Sequence, residues 1–172
     1  MLALLAVSCA SCGRSQADWI RGLESPDLLE RSLSALAVAE VAPQRGADAL
    51  PRLTVAIDGR HGALSRRASE ALVKIAPWTL DPMADWLADK IHAGSDSSLS
   101  LRAALATVGE KVLPSVARCV GAPGYAQNES LESLALELGA AAVGPLEELA
   151  RSSPDPSTRG GAAILLGKLG RR

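Results

Sequence analysis

Apolar residues recur along this chain with a helical period, and the pattern as a whole returns about every 30 to 34 residues. In the stretch LRAALATVGEKVLPSVARCV, Leu101, Ala104, Leu105 and Val108 are spaced to share one face of an α-helix. Counting back by the same offsets from Ile75 gives Ala68, Ala71 and Leu72; from Leu138, Leu131, Leu134 and Ala135; from Leu169, Ala162, Leu165 and Leu166. From Val41 the set is Ser34, Ala37 and Val38, with one polar member. Each anchor is therefore expected to close an amphipathic helix.

A second helix is expected after four of the five anchors. Leu113, Val116, Cys119 and Val120 match Leu50, Leu53, Ala56 and Ile57, then Leu80, Met83, Trp86 and Leu87, then Val143, Leu146, Leu149 and Ala150. Pro51, Pro82, Pro114 and Pro145 stand near the start of each copy. Proline suits a first turn, where its missing N–H has no intrahelical partner to lose, so these residues are expected to mark helix starts. Two helices per unit at this period indicate an α-solenoid.

A helix rich in small residues, Ala or Gly at its end (Ala42, Ala76, Gly109, Gly139, Gly170) and a proline-led partner resemble HEAT repeats of the short bacterial kind. The resemblance runs from Ser25 to Gly170; the first unit has a longer link, Pro43 to Asp48, and the last lacks its second helix. It implies an all-α, right-handed α-solenoid of HEAT-like helical hairpins over 25–172, with four hairpins and a closing helix. Ser25 is the expected cap of the first helix, with Pro26 in its first turn; Ser95-Asp96, Asn128 and Asp155-Pro156 open later ones.

The opening MLALLAVSCASCG resembles a bacterial lipoprotein signal, with Ala6, Val7 and Ser8 before a cysteine that is lipidated. On that reading residues 1–8 are the signal segment and Cys9 the lipidation site. Residues 9–24 are a tether carrying a short helix at Trp19, Ile20 and Leu23, laid over the first repeat. The protein would then sit on a membrane of the bacterial envelope through acyl chains; without the signal it would be cytoplasmic.

Composition narrows the function further. The chain is 48% hydrophobic but only 2% aromatic with no Phe, which suits closely packed Ala-, Leu- and Val-rich helices. Eighteen basic residues against nineteen acidic leave a net charge of −1, so no basic face for nucleic acid is expected. Of three cysteines, Cys9 and Cys12 have half of a metal-binding spacing and nothing to complete it, while Cys119 falls in a core column. Some HEAT-like proteins hold a di-iron centre on His-Glu steps, but here His61 precedes Gly62 and His92 precedes Ala93. Gly160-Gly161 and Gly167 fit no phosphate loop. No catalytic residue, metal site or cofactor is expected.

What remains is surface. Asp81, Asp85 and Asp89 form an acidic stripe along a second helix, either helix-start charges in solvent or a site for a cation or basic peptide. Trp78 is a candidate binding anchor if exposed. Successive second helices, stacked side by side, would align Asp85, Arg118 and Glu148 as a charge ladder on the concave face. The expected function is a non-catalytic, membrane-tethered scaffold for an unidentified protein or peptide. The alternative is an accessory protein, or enzyme subunit, binding a small ligand or cation through the second-helix surface. The closing helix spreads Ile164, Leu165, Leu166 and Leu169 over more than one face, so residual apolar exposure is expected there.

Overall fold

In the computed structural model, which describes residues 14–41, 46–59, 61–89, 96–125 and 129–170, each amphipathic period forms a helix, but Val108 lies two residues beyond the end of its helix at Ala106 instead of closing it. Among the described residues ten α-helices and two 3-10 turns account for the regular structure, and no strand occurs. The span expected to be one repeat domain is divided between two units, Met1–Thr79 and Leu80–Arg172.

The first unit holds α1 (Gln16–Gly22), α2 (Leu28–Val41), α3 (Gly46–Asp58) and α4 (Gly62–Ile75), the last followed by a 3-10 turn, Ala76–Trp78. A capping box starts α1: the Ser15 backbone N–H and Oγ donate to the Asp18 carboxylate at 2.9 and 2.7 Å, and the Asp18 N–H donates back to Ser15 Oγ at 3.3 Å. Trp19 and Leu23 are buried, and α1 lies on α2. The closest approach there is at Gly22, where a Cβ would stand 2.2 Å from Ser34 Oγ. The cap of α2 is Asp27, not Ser25: Asp27 Oδ1 accepts from the Leu29 N–H at 2.9 Å, while Ser25 Oγ accepts from the Asp27 N–H. The helix consequently begins beyond Pro26 instead of on it.

Helix α4 packs against α2 and α3, whereas α2 and α3 touch each other little. Helices α2 and α4 pack together, and Ser34, Ala37, Val38, Ala68, Ala71, Leu72 and Ile75 on them are all buried. Leu50, Leu53 and Ile57 of α3 complete the core, each stabilising by about 1.5–3 kcal/mol on removal from water.

The second unit holds α5 (Leu80–Asp89), α6 (Asp96–Ala106), a 3-10 turn (Gly109–Val112), α7 (Leu113–Val120), α8 (Glu129–Leu138), α9 (Ala140–Ser152) and α10 (Pro156–Leu169). Here α5 runs beside α7 and α6 beside α8. Leu101, Ala104, Leu105, Leu131, Leu134 and Ala135 are buried as the anchor pattern requires. The second-helix columns are covered less completely. Met83, Leu87, Val116, Cys119 and Leu146 are buried, but Trp86 and Leu149 are only half-buried and Val143 is exposed.

Prolines mark helix starts in only half the cases. Pro82 and Pro114 lie in first turns, whereas α3 begins at Gly46 and α9 at Ala140, which puts Pro51 and Pro145 inside their helices. Each interior proline removes one backbone hydrogen bond. The earlier starts have local causes. Gly46 abuts Ile75 and Thr79, where a Cβ would find Ile75 at 2.8 Å. Gly139, at φ +55°, turns the chain so sharply that α9 follows at once.

The closing helix α10 packs most extensively on α7 and α9, and only slightly on α8, the preceding first helix. Its crossing with α7 is backbone against backbone: a Cβ on Gly161 would stand 1.8 Å from the Ala117 carbonyl oxygen, and one on Gly121 would stand 1.8 Å from that of Ser157. Asp155 starts α10 by accepting from the Thr158 N–H at 2.9 Å, the Thr158 Oγ1 at 2.6 Å and the Ser157 N–H at 3.3 Å. Ala162 and Leu165 are buried by this packing, and Ile164 remains 46% exposed.

Candidate functional site

The second-helix surface of the second unit is built around Arg118. Its Nη2 donates to Asp85 Oδ1 at 2.7 Å and lies 3.6 Å from Asp81 Oδ1, so one guanidinium serves two carboxylates a helical turn apart on α5. Partial burial pulls this guanidinium down, but the Asp85 hydrogen bond, with Cys119, Asp85 and Asp81 close by, holds it above its ordinary value. Cys119, 4% exposed, packs in the core of α7, and its thiol donates to the same Asp85 oxygen at 3.4 Å.

Two rungs of the expected ladder are therefore present, and the third is not. Glu148 Oε2 pairs with Arg151 at 3.3 Å, and its Oε1 accepts from Ser152 Oγ at 2.6 Å. Helix α10 lies against α7, and the Asp155 carboxyl at its start is lowered first by Thr158 and in small part by the charge of Arg118.

Of the acidic stripe, Asp81 and Asp85 face Arg118; Asp89 ends α5, and its side chain lies outside the described residues. A cation there would have to displace a guanidinium. Among the described residues no group of three or more His, Cys, Asp or Glu side chains is placed to hold a metal ion, and no helix is long and apolar enough to cross a membrane. Cys9, Cys12 and His92 lie outside the described residues, and His61 is exposed at the start of α4.

The second unit also contains an ion pair the periodicity did not suggest. Glu132 of α8, only 6% exposed, pairs with Lys168 of α10, and Tyr125 Oη donates to it at 3.4 Å. The pair ties α10 to α8.

In the first unit Trp78 is 59% exposed at the end of its 3-10 turn. A second feature there was not anticipated. Leu23, Glu24, Arg31, Pro51, Arg52, Val55, Ala56, Gly59, His61 and Leu64 line a groove of about 410 Å³. Val55, which occupies the position equivalent to Asp85 and Arg118, is 73% exposed on its wall. Arg52 Nε donates to Glu24 at 2.8 Å, but Arg31 has no ion-pair partner among the described residues, and its buried Nε makes no hydrogen bond. The signal for Arg31 was present: it prolongs the Ser34–Val38 apolar face by one turn toward the helix start, where a charged residue is out of place.

No protein-family model matches the chain, and no curated protein matches it either.

Proposed function

We propose that this chain is a non-catalytic scaffold that binds a protein or peptide, held on a bacterial envelope membrane by a lipid at Cys9, its helices forming HEAT-like hairpins. The arrangement of α2 beside α4, and of α6 beside α8 with α5 beside α7, supports the stacking of like helices within each unit, whereas the two helices of an expected hairpin, such as α2 and α3, touch little. The binding reading rests on one observation: an apolar residue, Val55, stands 73% exposed on the wall of a concave groove. Aliphatic area left in water at a concave site is released from water by a partner. Trp78, exposed in the same unit, is a second anchor of the type that dominates protein interfaces.

The test is to isolate the native complex by cross-linking from position 55 or 78 and then rebind the purified partner. Binding should weaken with Val55→Asp or Trp78→Ala while helical circular dichroism is unchanged. Full affinity in both variants overturns the reading, as does a nucleotide or divalent cation that raises the melting temperature in a saturable way. For the anchor, Cys9→Ser should move the protein from the membrane to the soluble fraction, and a native N-terminus without acyl mass removes the lipid.

A further inference from the structure

The groove of the first unit carries a charge without a match. Its lining holds Arg31, Arg52, Glu24 and His61. Arg52 and Glu24 cancel each other at 2.8 Å, and the nearby Glu30 is held by Arg14 at 3.2 Å and Ser25 Oγ at 2.6 Å. Among the described lining residues Arg31 is the cation left without a carboxylate, partly withdrawn from water because its Nε is buried. A guanidinium in that condition gains more from a carboxylate than an exposed one does, since part of its desolvation cost has already been met. The amino end of α4 opens on the same groove at His61, whose side chain makes no capping hydrogen bond, and no acidic residue stands in the first turn.

The remaining wall is aliphatic: Leu23, Val55, Ala56 and Leu64. A single guanidinium suits one carboxylate better than a phosphate dianion, and the aliphatic wall suits a branched hydrocarbon side chain next to it. Resting on the scaffold reading above, we propose that this groove takes an acidic side chain flanked by aliphatic ones on a partner polypeptide, the carboxylate pairing with Arg31 and the hydrocarbon lying on Val55 and Leu64. The volume, about 410 Å³, is in the range of sites that enclose small ligands and is enough for a few side chains, not a whole helix.

The probes are two end-blocked pentapeptides, GLELG and GLQLG, titrated into the full chain while the Arg31 Nε–H and Val55 methyl resonances are followed. The acidic peptide should shift both resonances and bind about tenfold more tightly than the neutral one, the scale of a charged hydrogen bond. Arg31→Gln should make the two peptides equal, and Val55→Asp should weaken both, with helical circular dichroism unchanged. Equal affinity of the peptides for the unaltered chain overturns the proposal, and so does a preference that survives Arg31→Gln. Saturation of the groove by octanoate with neither peptide bound overturns the polypeptide occupant in favour of a lipid carboxylate. If neither peptide binds while a native partner still cross-links at position 78, only this inference falls; loss of cross-linking at both positions removes the scaffold reading as well.

Discussion

Each unit carries a half-buried arginine on a helix, and the two are treated differently. Arg118 in the second unit is met by Asp85 and Asp81 and lies within the field of Asp155; Arg31 in the first unit has no ion-pair partner among the described residues, and its buried Nε makes no hydrogen bond. The same contrast extends to the rest of the charges near each. The second unit also consumes Glu132 with Lys168 and Glu137 with Arg102 in bridging its helices. In the first unit Lys74–Glu40 and Arg52–Glu24 are cross-helix pairs, while Arg31, which shares a groove with an exposed valine, has no ion-pair partner among the described residues. Charges spent on internal bridges cannot recognise a partner. The comparison favours the first-unit groove for the proposed binding role, while the paired charges of the second unit bridge its helices.

The largest effects should come from the packing of α10, because its crossing with α7 brings backbone against backbone. Gly161→Val would put a branched side chain where even a Cβ has only 1.8 Å to the Ala117 oxygen, and should cost about 4 kcal/mol in urea unfolding. Gly160→Ala is the control, since a Cβ there meets nothing within 4 Å; it should gain up to about 1 kcal/mol from helix propensity. Equal tolerance of both changes would mean α10 does not cross α7 at Gly161. Next comes Lys168→Met, which leaves Glu132 buried without a cation and should cost about 3 kcal/mol at neutral pH. A smaller loss with Glu132→Gln and Lys168→Met combined would show the penalty to be that of the uncompensated charge.

Smaller changes bear on the arginines themselves. Arg118→Met should lose at most about 1 kcal/mol, because its partners are half in solvent, and a double-mutant cycle with Asp85→Asn should show coupling that fades in 1 M salt, where the screening length is about 3 Å. Arg31→Met keeps the packed stem, removes an unpaired charge and should cost nothing in stability. A clear loss on Arg31→Met would mean that this charge is structural, and the contrast between the units would fail.

How far this was legible in the sequence follows from which interactions are periodic. The first-helix anchors were readable because burial of Leu72, Leu105 or Leu134 depends only on which face of its own helix a residue occupies. The second-helix columns were read less well. Trp86 and Leu149 have the right spacing but are covered from one side, which no single-helix pattern encodes. Glu148 was aligned with Arg118 on the assumption that successive second helices are neighbours; the glycine crossing of α7 and α10 is a contact between Gly121 and Gly161, far apart in sequence and silent in hydrophobic periodicity. The groove escaped for a related reason, since it gathers residues from three helices, α2, α3 and α4, and from the connections beside them.

The smallest effect, and one that should appear in both units, concerns acid. Asp18 and Asp155 perform the same task, gathering hydrogen bonds at a helix start. The Asp18 carboxyl is lowered chiefly by the Ser15 hydroxyl and then its backbone N–H, and that of Asp155 chiefly by the Thr158 hydroxyl and then its backbone N–H. In each case the folded-state value falls below the unfolded one, so the contribution to stability is complete above the unfolded value near 3.8 and is lost as pH drops through that value toward the folded one. Asp18→Asn and Asp155→Asn keep an acceptor oxygen but cannot titrate. The stability difference between each variant and the unaltered chain should therefore hold constant from neutral pH to about one unit above the carboxylate value and shrink below it. Arg118 adds its field at Asp155 and not at Asp18, where Arg21 and Arg14 act instead, so in 1 M salt both differences should shrink without vanishing, the hydroxyl bonds remaining. A difference that grows as pH falls would reverse the sign of the linkage and remove both carboxylates as charge-assisted caps.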